Sequence, residues 1–349
     1  MNSTNISTWS EPAPLLTITG RILVCCPGGL VTGGPELLHQ LVDELRNLGH
    51  DSYVCYYPFD RVHECPKEYA NYNAPQARFC DQSGDLIILP EVRTILTRRF
   101  RHAKVAIWWL SVDNYFGRRG ESWLSDTFRT TTSLIRNRLP LKDLATLTHL
   151  VQSAYARDFL ARASISSVML TDYLSREHFE PKNPTPQKMD IIAYNPRKGV
   201  RRTLEIIKSN KDLSFIPIQG MKKHQVSDLL SRAKIYIDFG SHPGKDRLPR
   251  EAAMAGCCVI TGVQGAAGNT EDVPIPRRYK LNDNNRDYLP DFARLAKDIF
   301  SNHEDHNKLF DEYRASIRLE PILFKQQVIK IFGQPHEPPS VARIKDEKR

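Results

Sequence analysis

The sequence predicts an α/β protein made of two doubly wound domains that face each other across a cleft. The chain has 349 residues, more than one hydrophobic core usually supports, so two domains of ordinary size are expected. Short apolar runs alternate with amphipathic helical patterns along most of its length, as in parallel sheets covered by helices. A proline-rich segment, 180–188, interrupts this alternation and separates two such series.

A β-α-β unit opens the first series. An apolar strand at 22–26 is followed by a glycine-rich loop, a helix with leucines at helical spacing and a second strand at 52–57. Pro35 suits the first turn of that helix, so Gly33 and Gly34 fall where the unpaired amides of a helix start point outward. These amides suit a phosphate, although glycines at such a turn also occur for geometric reasons alone.

The rest of the first series adds one candidate catalytic carboxylate. Further strands are expected at 85–90, 104–110, 148–153 and 167–170, and helical stretches at 91–102, 141–147 and 173–179. Asp113 directly follows a strand, at the sheet edge where ligands bind in doubly wound folds. It is therefore either a residue of the cleft or an ordinary turn former.

The second series repeats the pattern after the linker. Strands are expected at 190–194, 214–219 and 234–239, helices at 200–209, 223–232, 289–300 and 303–318, and a last amphipathic stretch at 321–332. Residues 1–14 and 336–349 have the composition of disordered tails.

Composition and charge limit the possible partners. The net charge is +9, which suits an anionic ligand or surface, but the basic residues form short scattered clusters without a nucleic-acid-binding module, so we expect no nucleic acid partner. The arginine-rich segment 91–102 suits either peripheral contact with an anionic membrane or a solvated helix face. No apolar run is long enough to span a membrane and the start lacks a signal-peptide pattern, so a cytoplasmic protein is expected.

Cysteine and histidine spacing predicts no metal site. The seven cysteines include two adjacent pairs inside apolar runs, which indicates reduced core residues. No Cys-x-x-Cys pattern or helical histidine pair with zinc spacing occurs in the sequence. We therefore expect neither a structural metal nor a cofactor.

Residues 235–268 form the most informative segment: strand, charged loop, short helix, strand and glycine-rich loop. Gly244 lets backbone approach a ligand, while basic side chains and a helix start favour an anion. A carboxylate among them suits sugar hydroxyls. The charged residues of this loop are Lys245, Asp246, Arg247, Arg250 and Glu251. The alternative is a surface loop whose glutamate complements a helix dipole.

The run Glu251-Ala-Ala-Met-Ala-Gly256 followed by an apolar strand resembles the motif of retaining GT-B glycosyltransferases, in which a Glu-x(7)-Glu pattern precedes Ala-Met-Ala. The resemblance implies two Rossmann-like domains and a nucleotide-diphosphate sugar donor, with Glu251 binding the ribose hydroxyls. The first glutamate of the motif is replaced by Pro243. Its contact to the donor sugar is then absent or has moved to Asp246.

The same resemblance extends to the segment Asn195–Gly199 and to domain boundaries. Lys198 corresponds to the family's diphosphate-binding lysine; the family's partner arginine is missing, so its role passes to Arg197, Arg202 or Arg247. Gly220 and Met221 fall where backbone contacts the nucleobase. The resemblance implies a first, acceptor-side domain at 15–180, a nucleotide-sugar domain at 187–315 and a C-terminal helix at 316–335 that packs back on the first.

These matches predict transfer of a sugar to a polysaccharide or glycolipid precursor acceptor, without a metal and with retention. Cations and helix-start amides at Gly33, Gly34, Lys198 and Arg247 would stabilise the departing diphosphate. An inverting enzyme would also need a base, for which Asp113 is the candidate. Two alternatives remain: a noncatalytic nucleotide-sugar-binding subunit, suggested by the missing residues, and a nucleotide-sugar epimerase, which needs His or Glu bases in the cleft.

Overall fold

Two parallel sheets organise the chain in the computed structural model, which describes residues 14–116, 137–180 and 186–334. The tails expected at 1–14 and 336–349 lie almost wholly outside the described residues, as does much of the linker. Within the described residues every named strand pairs in parallel with its neighbours. The expected α/β class with two doubly wound sheets is therefore confirmed.

The first sheet has the order β2-β1-β3-β4-β5-β6. Its strands are β1 (Ile22–Pro27), β2 (Ser52–Tyr57), β3 (Leu86–Pro90), β4 (Lys104–Trp109), β5 (Thr148–Val151) and β6 (Val168–Met169). Because successive side chains point to opposite faces, Val24 and Cys25 enter different hydrophobic cores, one on each side of the sheet. Burial on both faces explains why these strands read as continuous apolar runs.

The second sheet has the order β10-β9-β7-β8. Its strands are β7 (Met189–Tyr194), β8 (Ser214–Pro217), β9 (Ala233–Asp238) and β10 (Cys258–Thr261). The chain passes from β7 outward to β8 and then returns to the other side of β7 as β9. The loops after β7 and β9 thus leave neighbouring strands at a topological switch point, where doubly wound sheets bind ligands.

Helices cover both sheets, and most lie where the sequence places them. They are α1 (Gly33–Asn47), α2 (Val112–Tyr115), α3 (Leu141–Leu144), α4 (Ala154–Arg162), α5 (Val200–Ser209), α6 (Lys223–Arg232), α7 (Arg247–Met254), α8 (Tyr288–Ser301), α9 (His303–Lys308) and α10 (Asp311–Phe332). The arginine-rich segment forms a 3-10 helix, Glu91–Arg99, with a non-helical break at Arg93. The stretch expected at 173–179 contains only a 3-10 turn, Arg176–His178.

Helix α10 is one helix through Pro321, where the sequence suggested two. A proline inside a helix removes one backbone hydrogen bond. Burial of apolar side chains on both sides of the proline compensates for the lost hydrogen bond. Ile317 belongs to the core of the second sheet, whereas Phe324 and Val328 belong to a core of the first. The helix therefore connects the two domains. Among the described helices, none is both long and apolar enough to cross a lipid bilayer.

A row of polar contacts also joins the domains just beyond the carboxyl end of β5. The start of α4 donates backbone hydrogen bonds from Ala154 and Tyr155 to the carboxylate of Asp272, at 2.7 and 2.8 Å. Arg157 makes a bidentate pair with Glu271 at 2.8 and 2.9 Å. Since these residues come from opposite domains, the contacts fix the width of the cleft.

Candidate functional site

A cavity of about 1340 Å³ opens between the two domains. Its wall combines the start of α1, the loops after β7 and β8, and one face of α7. Six of the residues singled out from the sequence line it: Gly33, Arg197, Gly220, Met221, Arg247 and Glu251. Clustering of these separate segments around one cavity is what a ligand site in the cleft requires.

The start of α1 contributes free amides to the cavity wall. The helix begins at Gly33 after Thr32, so the first backbone N–H groups have no partner within the helix. A Cβ built on Gly33 would lie 3.5 Å from Cδ of Arg247, which places the arginine stem directly over the helix start. An anion bound there would meet both the helix amides and a guanidinium.

Four polar side chains, two of them carboxylates, follow one another along this wall. Arg247 Nη1 lies 2.5 Å from a carboxylate oxygen of Glu36, in the opposite domain, and its Nε lies 3.5 Å from Glu251 Oε1. His178 Nε2 lies 3.7 Å from the same Glu251 oxygen. Burial would raise the pKa of Glu36, but the Arg247 charge outweighs it and the pKa is lowered. Glu36 is therefore ionised and pairs with the Arg247 guanidinium beside the start of α1.

Lys198 belongs to a second charged group beside the cavity, not to its lining. Its Nζ lies 2.6 Å from Oδ2 of Asp246, which also lies 3.1 Å from Nδ1 of the buried His242. Burial would raise the pKa of Asp246, but the Lys198 and His242 charges lower it well below its ordinary value. The Asp246 carboxylate, the sequence candidate for the donor-sugar contact, is thus already paired within the protein.

The loop at Gly244 packs against the first domain. A Cβ at Gly244 would lie 2.2 Å from the backbone oxygen of Leu110, and the next amide, Lys245 N, donates to Gln152 Oε1 at 3.0 Å. The glycine is needed for close approach, as expected, but its neighbour is the end of β4. A Cβ built on Gly34, in the first domain, would lie 3.9 Å from Cδ1 of Leu110, which is an ordinary van der Waals distance.

Arg250 and Lys245 do not line the cavity, contrary to their expected role as ligand cations. Arg250 is 0% exposed and bonds Asp172 at 2.6 Å and Glu320 at 2.7 Å. Lys245 lies 2.6 Å from the other oxygen of Glu320. These ion pairs connect the first domain, α7 and α10. Both cations face inward because buried carboxylates from two other segments require partners.

Asp113, the candidate base, is nearly buried and lies outside the cavity lining. It is 7% exposed and accepts a 3.4 Å hydrogen bond from the Tyr155 hydroxyl. Its charge is close enough to contribute to the raised pKa of Lys198, against the opposing effect of burial. The Asp113 charge thus acts on Lys198 from the opposite domain.

The nucleobase end predicted at Gly220 and Met221 is open. Gly220 has φ +67°, and a Cβ there would meet no heavy atom within 4 Å. Arg197 lines the same cavity. Arg202, the other arginine considered for the missing family residue, instead pairs with Asp283 and Glu205 at 3.1 Å each.

Solved structures with the same architecture are glycosyltransferases. Sucrose-phosphate synthase from Thermosynechococcus elongatus superposes with a TM-score of 0.61 at 13% identity, covering 88% of this chain and 97% of that one. The catalytic domain of starch synthase IV from Arabidopsis thaliana, bound to ADP and acarbose, gives 0.53 at 10% identity, covering 88% and 99%. The chain has the GT-B fold.

A third GT-B structure, WaaG, a glycosyltransferase involved in lipopolysaccharide biosynthesis, gives a TM-score of 0.51 at 10% identity, with 88% and 99% of the two chains covered. At such identities the likeness concerns the fold. No protein-family model and no curated protein sequence matches the chain. The role of each residue in this GT-B cleft therefore has to be argued from its own geometry.

Three side chains of this GT-B cleft were not predicted from the sequence: Glu36, His178 and His242. The sequence indicates only that Glu36 belongs to an amphipathic helix, although its position in the first turn of α1 lies close to Gly33 and Gly34. His178 follows no motif. His242 lies four residues from both Asp238 and Asp246. The spacing is visible in the sequence, but only the folded loop shows that both carboxylates contact the ring.

Proposed function

We propose that this chain is a glycosyltransferase that moves a sugar from a nucleotide-diphosphate donor to a polysaccharide or glycolipid precursor acceptor. The observation that carries the proposal is the position of Arg247, directly over the free amides of α1 and beside Glu251, in the cleft of a GT-B fold. A cation, helix-start amides and a neighbouring carboxylate together match a nucleoside diphosphate: phosphate at one end and ribose hydroxyls at the next.

Glu251 is the proposed ribose ligand. Its contacts to Arg247 and His178, at 3.5 and 3.7 Å, are longer than ordinary hydrogen bonds. Both carboxylate oxygens therefore remain able to accept hydrogen bonds from vicinal hydroxyls. The base would extend toward Gly220 and Met221, where the cavity wall leaves space.

Stabilisation of the leaving group would come from Arg247, Arg197 and the amides of Gly33 and Gly34. Negative charge grows on the diphosphate as the glycosidic bond to it breaks, and preorganised donors lower the barrier because they need no rearrangement at that moment. We propose that these groups act without a metal ion or other cofactor. Lys198 would contribute from beside the cavity, held by Asp246.

We propose retention of configuration. Inversion needs a base in contact with the acceptor hydroxyl, and Asp113 lies outside the cavity lining at 7% exposure. Glu36 does line the cavity, but Arg247 lowers its pKa, which weakens it as a base. Neither carboxylate is placed as a strong general base.

The proposed acceptor class rests on the fold and on the charge of the chain. The fold is shared with WaaG, which acts in lipopolysaccharide biosynthesis, and the net charge of +9 suits an anionic acceptor or membrane surface. We propose a cytoplasmic protein with peripheral contact to an anionic membrane. In the arginine-rich segment, Arg93 and Arg99 lie over the rings of Tyr57 and Phe79, so these two side chains are partly occupied within the protein.

The test is incubation of the purified chain with a panel of UDP-, GDP- and ADP-sugars, with and without a glycolipid extract, followed by mass spectrometry. Mass transfer to an acceptor together with release of nucleoside diphosphate supports the proposal. An altered free nucleotide sugar would indicate epimerisation. Binding without turnover would indicate the noncatalytic subunit, which the absent first carboxylate at Pro243 favours as the second candidate.

A further inference from the structure

His242 is enclosed between two carboxylates in the loop that joins β9 to α7. Its Nε2 lies 3.4 Å from Oδ1 of Asp238 and its Nδ1 lies 3.1 Å from Oδ2 of Asp246, while the side chain is 1% exposed. Each ring nitrogen thus lies within ion-pair distance of a carboxylate oxygen, although neither contact has hydrogen-bond geometry. A neutral imidazole has one donor nitrogen and one acceptor nitrogen, whereas both donate in the imidazolium.

The charges around this ring favour its protonated form. Asp246 also contacts Lys198 at 2.6 Å. Asp238 accepts hydrogen bonds from Tyr236 Oη at 3.2 Å and from the Gly240 amide at 3.1 Å. Three carboxylates, Asp238, Asp246 and, from the other domain, Asp113, then act on one ammonium and one imidazolium. A neutral ring would leave an uncompensated negative charge in a buried place, which is costly.

A divalent cation is the alternative occupant of the acidic pair. Asp238, His242 and Asp246 each offer a ligand atom, and these atoms lie within 4.8 Å of one another. The two carboxylates, however, lie beside different ring nitrogens, Nε2 and Nδ1, so an ion bound to one nitrogen would leave the other nitrogen beside its carboxylate. The ammonium of Lys198 on Asp246 would also repel it. The arrangement fits protons better than a metal.

We propose that His242 is a positioning residue, a buried imidazolium that fixes Asp246 and, through it, Lys198 beside the cleft. The effect on the donor depends on the proposed function; the charge state does not. Burial alone would lower the pKa of His242, but the two carboxylates outweigh it and raise the pKa to about 10. The ring therefore stays protonated through the neutral range, and the stability it provides is full below the ordinary histidine pKa of 6.5 and is lost as pH rises from there through the folded pKa.

The charge state is measured directly by nitrogen NMR of histidine rings in the full chain at pH 7.5. His149 is the matched control: it is also buried, but its Nε2 faces the Leu144 carbonyl and its Nδ1 accepts from Trp109, and burial lowers its pKa. The expected result is imidazolium shifts at both nitrogens of His242 and neutral shifts for His149. A neutral His242, or loss of its imidazolium signal on adding one equivalent of Mn²⁺ or Zn²⁺, would overturn the proposal.

The positioning role is tested with His242→Gln and with the double variant His242→Gln/Asp238→Asn, which removes one positive and one negative charge and so keeps the net charge of the wild type. We expect the single variant to lower kcat/KM for the donor at least about tenfold, a loss of about 1.4 kcal/mol in transition-state binding, and the double variant to recover part of it. A double variant no better than the single one would contradict the role. An inactive wild type with a protonated His242 would remove the proposed function and leave the charge assignment standing.

Discussion

Arg247 of the second domain and Glu36 of the first form an ion pair of 2.5 Å across the cleft. The guanidinium that we assign to a diphosphate is therefore already neutralised when the cleft is empty of anion. A bound diphosphate has to replace the Glu36 carboxylate on Arg247 or bind beside it at the cost of repulsion. Either way, we expect Glu36 to lower nucleotide affinity and to favour release of the product.

Glu36→Gln should therefore bind nucleoside diphosphate more tightly. The substitution removes the competing charge and keeps the side-chain shape, so we expect Kd for UDP or GDP to fall by about tenfold, on the order of 1.4 kcal/mol. Calorimetric titration measures it. Glu180→Gln is the matched control, because Glu180 also lines the cavity but contacts Arg176. Unchanged or weaker binding by Glu36→Gln would contradict the competition.

Glu251→Ala should lose nucleotide affinity. If the carboxylate accepts two ribose hydrogen bonds, its removal costs about 1.5–3 kcal/mol, roughly tenfold to a hundredfold in Kd. The matching deoxynucleotide comparison sharpens the test: the wild type should prefer the ribonucleotide over its 2′-deoxy form, and the variant should not. Equal affinity of wild type and variant for the ribonucleotide would place the ribose elsewhere.

Arg250→Met should destabilise the protein strongly. The change leaves Asp172 and Glu320 buried without their shared cation, and breaking a buried ion pair from one side typically costs about 3–5 kcal/mol. The readout is the urea midpoint followed by circular dichroism. Arg294→Met is the control, since Arg294 is 78% exposed in its pair with Asp291 and should change the midpoint little. Similar midpoints for both variants would show that the network contributes little.

The contrast between Arg250 and Arg247 shows what the sequence could and could not predict. Strands and helices follow from apolar periodicity, which is local, so both sheets were predictable. The two arginines are three residues apart in one motif, yet their partners come from segments far away: Asp172 lies 78 residues and Glu320 lies 70 residues from Arg250. Sequence spacing alone does not show which arginine such distant carboxylates neutralise.

Gly244 makes the same point for backbone geometry. The sequence predicts that glycine at position 244 allows another group to approach the backbone closely. The structure agrees, because the Leu110 carbonyl leaves no room for a Cβ there. The sequence named a ligand as the close neighbour, whereas the neighbour in the structure is the other domain. The residue type alone predicts that there is no space for a Cβ at position 244. Which group fills that space depends on how the two domains pack against each other.

The Gly244 contact can be tested by substitution. Gly244→Ala would place Cβ 2.2 Å from a backbone oxygen that has no rotamer to move, so the loop and β4 should separate, with a loss of several degrees in Tm. Gly34→Ala is the control, because its Cβ would meet Leu110 Cδ1 at 3.9 Å. A Gly244→Ala protein as stable as Gly34→Ala would mean that the domains do not dock through this loop.

Glu91 should make stability fall as pH rises. This carboxyl, 2% exposed, accepts a 2.9 Å hydrogen bond from the Leu110 amide, and burial raises its pKa to about 7. Near pH 4 both folded and unfolded chains carry the proton. Between about pH 4.5 and 7 the unfolded chain loses the proton while the folded chain keeps it, so folding becomes less favourable with rising pH.

Glu91→Gln removes this dependence. Its free energy of unfolding should gain on the order of 3 kcal/mol relative to wild type between pH 4.5 and 8. Urea unfolding at both pH values, with the exposed Glu304→Gln as control, measures the difference, and a constant difference between variant and wild type would show that the Glu91 carboxyl ionises normally in the folded protein.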